Sequence, residues 1–221
     1  MNQPLPHTPG ILSFYKQFLS DGDSVAWICK VAESYSFVTL ARLTTSEHSP
    51  VRQSAVLALG MIGNWDALEF LCPMLSDSDR KVRVLADDAV KAIENRSLPL
   101  RGRALLERML VQIESNRIKA AVTTANRLIA SYPQTAEAYC RRALAHFNLG
   151  RIHEAMQDCR QCIALAPHSY MAYVGLGQCL LESDSPREAL EAFRDAVKIY
   201  PDLETVRVQI KRLERMLREA T

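Results

Sequence analysis

Cys159-x-x-Cys162 is the one motif in the chain whose residue types and spacing invite redox or metal chemistry. A redox-active pair of this kind usually sits at a helix start, where the dipole lowers one thiol's pKa. Here both cysteines fall in the middle of an apolar, helix-periodic segment. A zinc ion would need two further ligands, and the nearest candidates, Cys140, Cys179 and His146, stand at no ligand spacing. Core packing is the expected role, because a cysteine in an apolar segment behaves as a small buried hydrophobe. The histidines, His7, His48, His146, His153 and His168, are scattered. No glycine-rich phosphate loop, nucleophile elbow or pair of metal-binding histidines is present. The residues propose no reaction, so no catalytic residue, no metal site and no cofactor is expected.

The elements that carry these residues are read from composition first. Hydrophobic residues make up 48% and charged residues 24% of the 221, an ordinary balance for a folded chain. Glycine, at 8 residues, is too scarce for a turn-rich β protein of this size, which favours helices. A net charge of +2 gives no reason to expect nucleic acid as a ligand. All six cysteines, Cys29, Cys72, Cys140, Cys159, Cys162 and Cys179, lie in apolar segments, which suits free, buried thiols in a reducing compartment. The start, Met1 to Pro6, is polar and proline-rich and carries no secretory signal pattern. The longest apolar stretch, near Ala55 to Ile62, is far short of the roughly 20 residues that cross a bilayer. The expectation is a soluble, cytoplasmic chain with no membrane partner.

The second half repeats. Pro133, Pro167 and Pro201 stand 34 residues apart, and in the same phase come Ala121, Ala155 and Ala189. Asn116, Gly150 and Asp184 fall where a helix must stop. Ala125, Cys159 and Phe193 share a register, as do Leu128, Cys162 and Ala196. The pattern predicts two antiparallel helices per unit, brought close by the small residues. This period and residue order resemble the tetratricopeptide repeat, in units Gly102–Thr135, Ala136–Ser169 and Tyr170–Leu203, the first carrying Arg108 and Gln112 where apolar residues are usual. In the same resemblance His146 falls at a core aromatic position and reads as a packed ring. From Glu204 to Ala220, Val206, Ile210, Leu213 and Leu217 form one helical stripe opposite Arg207, Lys211, Arg212, Arg215 and Arg218. A capping helix over 204–221 is expected, since repeat arrays end in atypical units with one polar face.

The first half repeats at 31 residues. Val51 matches Val82, Arg52 matches Arg83, Ala55 matches Ala86, Ala58 matches Ala89, Leu59 matches Val90 and Ile62 matches Ile93. Upstream, Phe37 matches Leu68 and Leu40 matches Leu71. Each unit reads as helix, turn, helix, with Ser49-Pro50 and Asp79 starting the second helices. The stretches Ser49 to Gly63 and Asp77 to Ala86 resemble HEAT repeats, most nearly the short variety of phycobilin lyases. The resemblance implies units Ser34–Gly63 and Asn64–Asn95 and a degenerate first unit from Ile11 to Glu33. There Ile28 and Val31 keep the register and Phe14, Tyr15 and Phe18 cover the end. It also implies that Arg52 and Arg83 stack between units, with Asp77 or Asp79 as partners. The expected organisation is an all-α solenoid: HEAT-like repeats over 1–95, a short joint at 96–101 near Pro99 that packs both arrays into one superhelix, tetratricopeptide repeats over 102–203, and the cap.

In tetratricopeptide arrays the first helix of each unit lines the concave face. Carried over by register, that face comprises Leu106, Leu110 and Ile113, then Cys140, Arg141, Leu144, Phe147 and Asn148, then Met171, Val174, Gln178, Leu181 and Glu182. The set is mostly apolar and suits a partner helix or extended apolar segment. Ala138 to Ala143, with Gln157 to Cys159, is similar to the tetratricopeptide domains of heat-shock co-chaperones, which hold acidic peptide tails in a carboxylate clamp. The clamp positions fall on Leu106, Leu110, Arg141, Met171 and Gly175, of which only Arg141 can donate to a carboxylate. The resemblance therefore implies a scaffold or adaptor that binds a protein, without a chaperone-tail clamp. A subunit or accessory factor of a bilin-lyase-like enzyme and a structural assembly subunit of a larger complex are the alternatives.

Overall fold

The computed structural model describes residues 10–219. The polar start, Met1 to Pro6, and His7 lie outside the described residues. Among the described residues the chain is helical throughout, without strands, and it divides after Ser97 into two units. No helix among these residues is long and apolar enough to cross a membrane.

In the first unit, short polar side chains start some of the helices. Asp23 accepts from the Ala26 amide at 2.9 Å, and Ser36 accepts from the Thr39 amide at 3.3 Å. The helices are α1 (Gly10–Asp21), α2 (Ser24–Ser34), α3 (Phe37–Leu43), α4 (Ser49–Ile62), α5 (Leu68–Leu71) and α6 (Arg80–Ser97). Pro50 sits in the first turn of α4, and Asp79 caps α6 by accepting from the Lys81 amide at 2.7 Å. Pro73 lacks an amide donor and breaks what would be one helix into the four residues of α5 between 3-10 turns.

The 31-residue register is a burial register. Leu40 and Leu71, Val51 and Val82, and Ala55 and Ala86 are all fully buried. It fails at the unit ends, where Phe37 and Ile62 are exposed while Leu68 and Ile93 are buried. Arg52 forks onto Asp77 through Nε at 2.7 Å and Nη2 at 2.8 Å. It also donates to the carbonyls of Ser46 and Glu47. Arg83 repeats the carbonyl contacts 31 residues on, to Asp77 and Ser78. In the degenerate unit Ile11 and Val31 are fully buried, Ile28 is half-buried, and Phe18 tilts against the buried Trp27 at 5.5 Å between centroids. Cys29 corrects the expectation of uniformly buried thiols: it is exposed, one turn from exposed Val25, on the face of α2 opposite Trp27 and Val31.

The second unit comprises α7 (Leu100–Glu114), α8 (Ile118–Ser131), α9 (Ala136–Asn148), α10 (Ile152–Leu165), α11 (Tyr170–Glu182), α12 (Pro186–Ile199) and α13 (Glu204–Glu219). Its 34-residue ruler is written in the backbone. Asn116, Gly150 and Asp184 take φ of 56°, 70° and 55°, the left-handed turn that ends a helix. After each, the next amide bonds back to the carbonyl five residues earlier, Arg117 to Gln112, Arg151 to His146 and Ser185 to Leu180. Ala121, Ala155 and Ala189 are fully buried where the paired helices cross. α13 lays Val206 and Leu213 on Leu190 and Phe193 of α12, turns its arginines to solvent, and is tied to α12 by Arg194 and Glu214 at 2.9 Å.

Candidate functional site

The helix spacing that buries one face of α9 leaves the other open. On α9, Cys140, Arg141, Leu144 and Phe147 recur at three- and four-residue intervals, so they share a face. On α11, Met171, Val174, Gly175 and Gln178 do the same. The two faces, with Ala143, Cys159 and Cys179 as floor, enclose an open pocket of about 270 Å3. Its rim is apolar and exposed: Leu144 is 40% and Met171 47% accessible.

The one cation at the pocket is already answered. Arg141 Nε lies 2.6 Å from Glu137 Oε1, one turn back on α9. Sulfur dominates the floor. Cys159 and Cys179 share a thiol–thiol hydrogen bond, which holds Cys179 below the ordinary thiol value and, with burial, pushes Cys159 far above it. Cys140 is likewise pushed well up by its hydrogen bond with Cys162 and by burial. Among the described residues no group of three or more Cys, His, Asp or Glu side chains is arranged to hold a metal ion.

Seven of the residues expected on the concave face meet in this pocket: Cys140, Arg141, Leu144, Phe147, Met171, Val174 and Gln178. The other six stand elsewhere. Leu106 is a core residue, 7% exposed, because Ala121, Ala125 and Ala138 leave room for it between α7, α8 and α9. Ile113 packs against the same cluster, and Leu110 is half-buried outside the pocket. Leu181 packs against the cluster of Leu180 and Phe193. Asn148 and Glu182 are exposed but do not line the pocket. Missing from the sequence reading were Ala143, Cys159 and Cys179 as lining residues, and Gly175 as the opening in its wall. A signal for them existed: a glycine on the groove face of α11 in register with Arg141, one turn before a cysteine.

Behind the pocket the other face of α9 carries a polar cluster. Arg142 grips Asp158 through Nε at 2.7 Å and Nη2 at 2.6 Å, and donates to Asn126 at 2.7 Å. His146 lies 3.9 Å from Asp158, and its Nδ1 is buried without a hydrogen-bond partner. Burial holds the His146 ring below its ordinary pKa of 6.5, with the opposing pull of Asp158 the smaller effect.

Known proteins share these repeats. A family model described as HEAT repeats matches residues 36–126, and one described as anaphase-promoting complex, cyclosome, subunit 3 matches residues 114–196. A TPR repeat-containing protein of Rhizobium etli is 30% identical over 105 residues, covering 48% of this chain and 52% of that protein. Small glutamine-rich tetratricopeptide repeat-containing protein 2 of Saccharomyces cerevisiae is 25% identical over 122 residues, 55% of this chain and 33% of that one. The chain thus spans about half the length of the first relative and a third of the second. Among solved structures, the TPR domain of Arabidopsis OM64 superposes with a TM-score of 0.51 at 26% identity, over 52% of this chain and 95% of that one. The first TPR of Spaghetti (RPAP3), bound to the HSP90 peptide SRMEEVD, gives 0.51 at 18%, over 52% and 92%. The chain is a helical repeat protein in which HEAT-like repeats are followed by tetratricopeptide repeats.

Proposed function

We propose that this protein is a protein-interaction adaptor that seats an apolar side chain of a partner protein in the groove between α9 and α11. One observation carries this reading: a pocket of about 270 Å3 walled by Leu144, Phe147, Met171 and Val174, two of them substantially exposed. Exposed apolar surface gathered into one concavity marks an interaction site. Its walls are two packed helices, so binding orders little of the protein and loses little entropy. A relative of this fold was solved holding an acidic peptide; here Arg141 is neutralised by Glu137, and Met171 and Gly175 place no cation beside it. The groove therefore selects an apolar anchor rather than a carboxylate, and its binding responds only weakly to salt.

The test is selection from a displayed random-peptide library on the full chain. Enriched peptides are expected to share a Leu, Met or Phe anchor. Leu144→Glu and Met171→Glu should each weaken binding at least about tenfold, roughly 1.4 kcal/mol, with helicity unchanged. Peptides whose binding ignores both changes would place the interaction elsewhere and refute the groove.

A further inference from the structure

Four of the six cysteines, Cys140, Cys159, Cys162 and Cys179, gather on α9, α10 and α11, and three of them line the pocket. They form two hydrogen-bonded pairs, Cys140 with Cys162 and Cys159 with Cys179. The second pair has a built geometry. The Cys159 sulfur lies 3.1 Å from the point where a Cβ on Gly175 would stand. Gly175 and Cys179 are one turn apart on the same face of α11. The missing side chain of Gly175 lets a sulfur of α10 lie directly on α11, beside the sulfur of Cys179. Both thiols are almost wholly buried, at 2% and 1% exposure, yet both border the open pocket. The pocket offers a small reagent an approach to them.

The two thiols are chemically unequal. The hydrogen bond they share holds Cys179 below the ordinary thiol value and Cys159 above it, so Cys179 is the sulfur that loses its proton more readily, and the thiolate is the nucleophile. Cys159 stands beside it as a resolving thiol, the arrangement by which oxidised cysteines close to a disulfide.

We propose that Cys159 and Cys179 are a dithiol modified by a small hydroperoxide, with Cys179 attacking and Cys159 resolving, in the floor of the groove. The Cys179 thiolate attacks one peroxide oxygen: an S–O bond forms, the O–O bond breaks, and hydroxide leaves to be protonated to water. Cys179 is now a sulfenic acid, its sulfur oxidised by two electrons and the peroxide reduced. The Cys159 sulfur then attacks the Cys179 sulfur. The S–S bond forms, the S–O bond breaks, and the departing hydroxide takes the Cys159 proton as a second water. Two thiols and one peroxide give one disulfide and two waters, and α10 is stapled to α11. The chemistry does not depend on what the groove binds, so it stands or fails separately from the adaptor role.

The test treats the reduced full chain with a slight excess of hydrogen peroxide, blocks remaining thiols and maps peptides by mass spectrometry. A Cys159–Cys179 cross-link should be the main product and should form faster than oxidation of exposed Cys29, an internal control. Cys159→Ser should leave a sulfenic acid on Cys179 that dimedone traps, and Cys179→Ser should abolish cross-link and adduct together. Oxidation of Cys29 with no Cys159–Cys179 peptide in the wild-type chain overturns the proposal, and that result needs no variant to fold. An adduct on Cys159 that survives Cys179→Ser overturns the assignment of roles.

Discussion

At one position of the 34-residue register the three units hold Gln112, His146 and Leu180, all buried. Twelve residues on, their partners are Thr124, Asp158 and Ala192. Thr124 donates to Gln112 at 2.8 Å, so both polar groups of the first unit are satisfied. Leu180 with Ala192 needs no such partner. His146 is the exception: Asp158 is committed to Arg142, and Nδ1 finds no acceptor or donor. The ionisable and charged groups near the ring are Asp158, Arg142, Glu154 and Arg151, and burial outweighs them. The sign follows. A folded pKa below the unfolded value of 6.5 means that below about pH 6.5 the unfolded chain binds the proton more readily. The stability from keeping this ring neutral is complete above pH 6.5 and is lost as pH falls, by at most about 1.4 kcal/mol per pH unit for one proton. His146→Leu, the residue of the third unit, should match or exceed wild type at pH 5.5 and show a flatter stability profile between pH 7.5 and 5.5. Urea melts at the two pH values decide it; identical slopes would remove His146 as the titrating group.

Between helices the same register trades volume. Met109 with Ala125, Ala143 with Cys159 and Gly177 with Phe193 occupy equivalent crossings, and as one member shrinks the other grows. In the last unit the exchange is complete: a Cβ on Gly177 would stand 2.5 Å from the Phe193 ring. Gly177→Ala gains helix propensity of about 1 kcal/mol but overpacks by about 1–3 kcal/mol, so a net loss is expected. Phe193→Leu alone also destabilises, by opening space beside Val206 and Leu213. The double variant should be more stable than the sum of its parts by about 0.5 kcal/mol or more. Strict additivity in a urea double-mutant cycle would deny that the two residues share the crossing. Such trades mark how far the sequence alone is legible. The prolines and the turn residues Asn116, Gly150 and Asp184 announced the helix ends of the second unit, because only certain residues take that backbone. Seven groove residues followed from the same register. Depth was not legible. Leu106 carries the pattern of a groove residue yet is buried, because the alanines around it let it sink. Cys29 carries the pattern of a core residue, and the outward face of α2 takes it to solvent. Register says which way a side chain points; the size of its neighbours says whether anything remains exposed.

Over the whole chain, the division after Ser97 assigns the features differently. The first unit has its own core, built on Val51, Val82, Leu40 and Leu71, and its own inter-repeat ladder of Arg52, Asp77 and Arg83. The second has the cores around Met109 and Phe193, the helix α13 laid over α12, and every residue that lines the pocket. Repeat arrays owe their stability to neighbouring units rather than to distant parts of the chain. A fragment of residues 98–221 keeps every residue that lines the groove and the clusters around Met109 and Phe193. It should melt cooperatively by circular dichroism and bind a peptide selected on the full chain within about threefold of the intact affinity, under about 0.7 kcal/mol. The complementary fragment, 1–97, should fold and not bind that peptide. The deciding comparison is titration of one labelled peptide against both fragments and the full chain. If the 98–221 fragment folds but loses the peptide, the binding surface extends into the first unit, and Leu144 and Met171 are only one edge of it. If affinity is kept, the groove of the second unit holds the peptide without any contribution from the first.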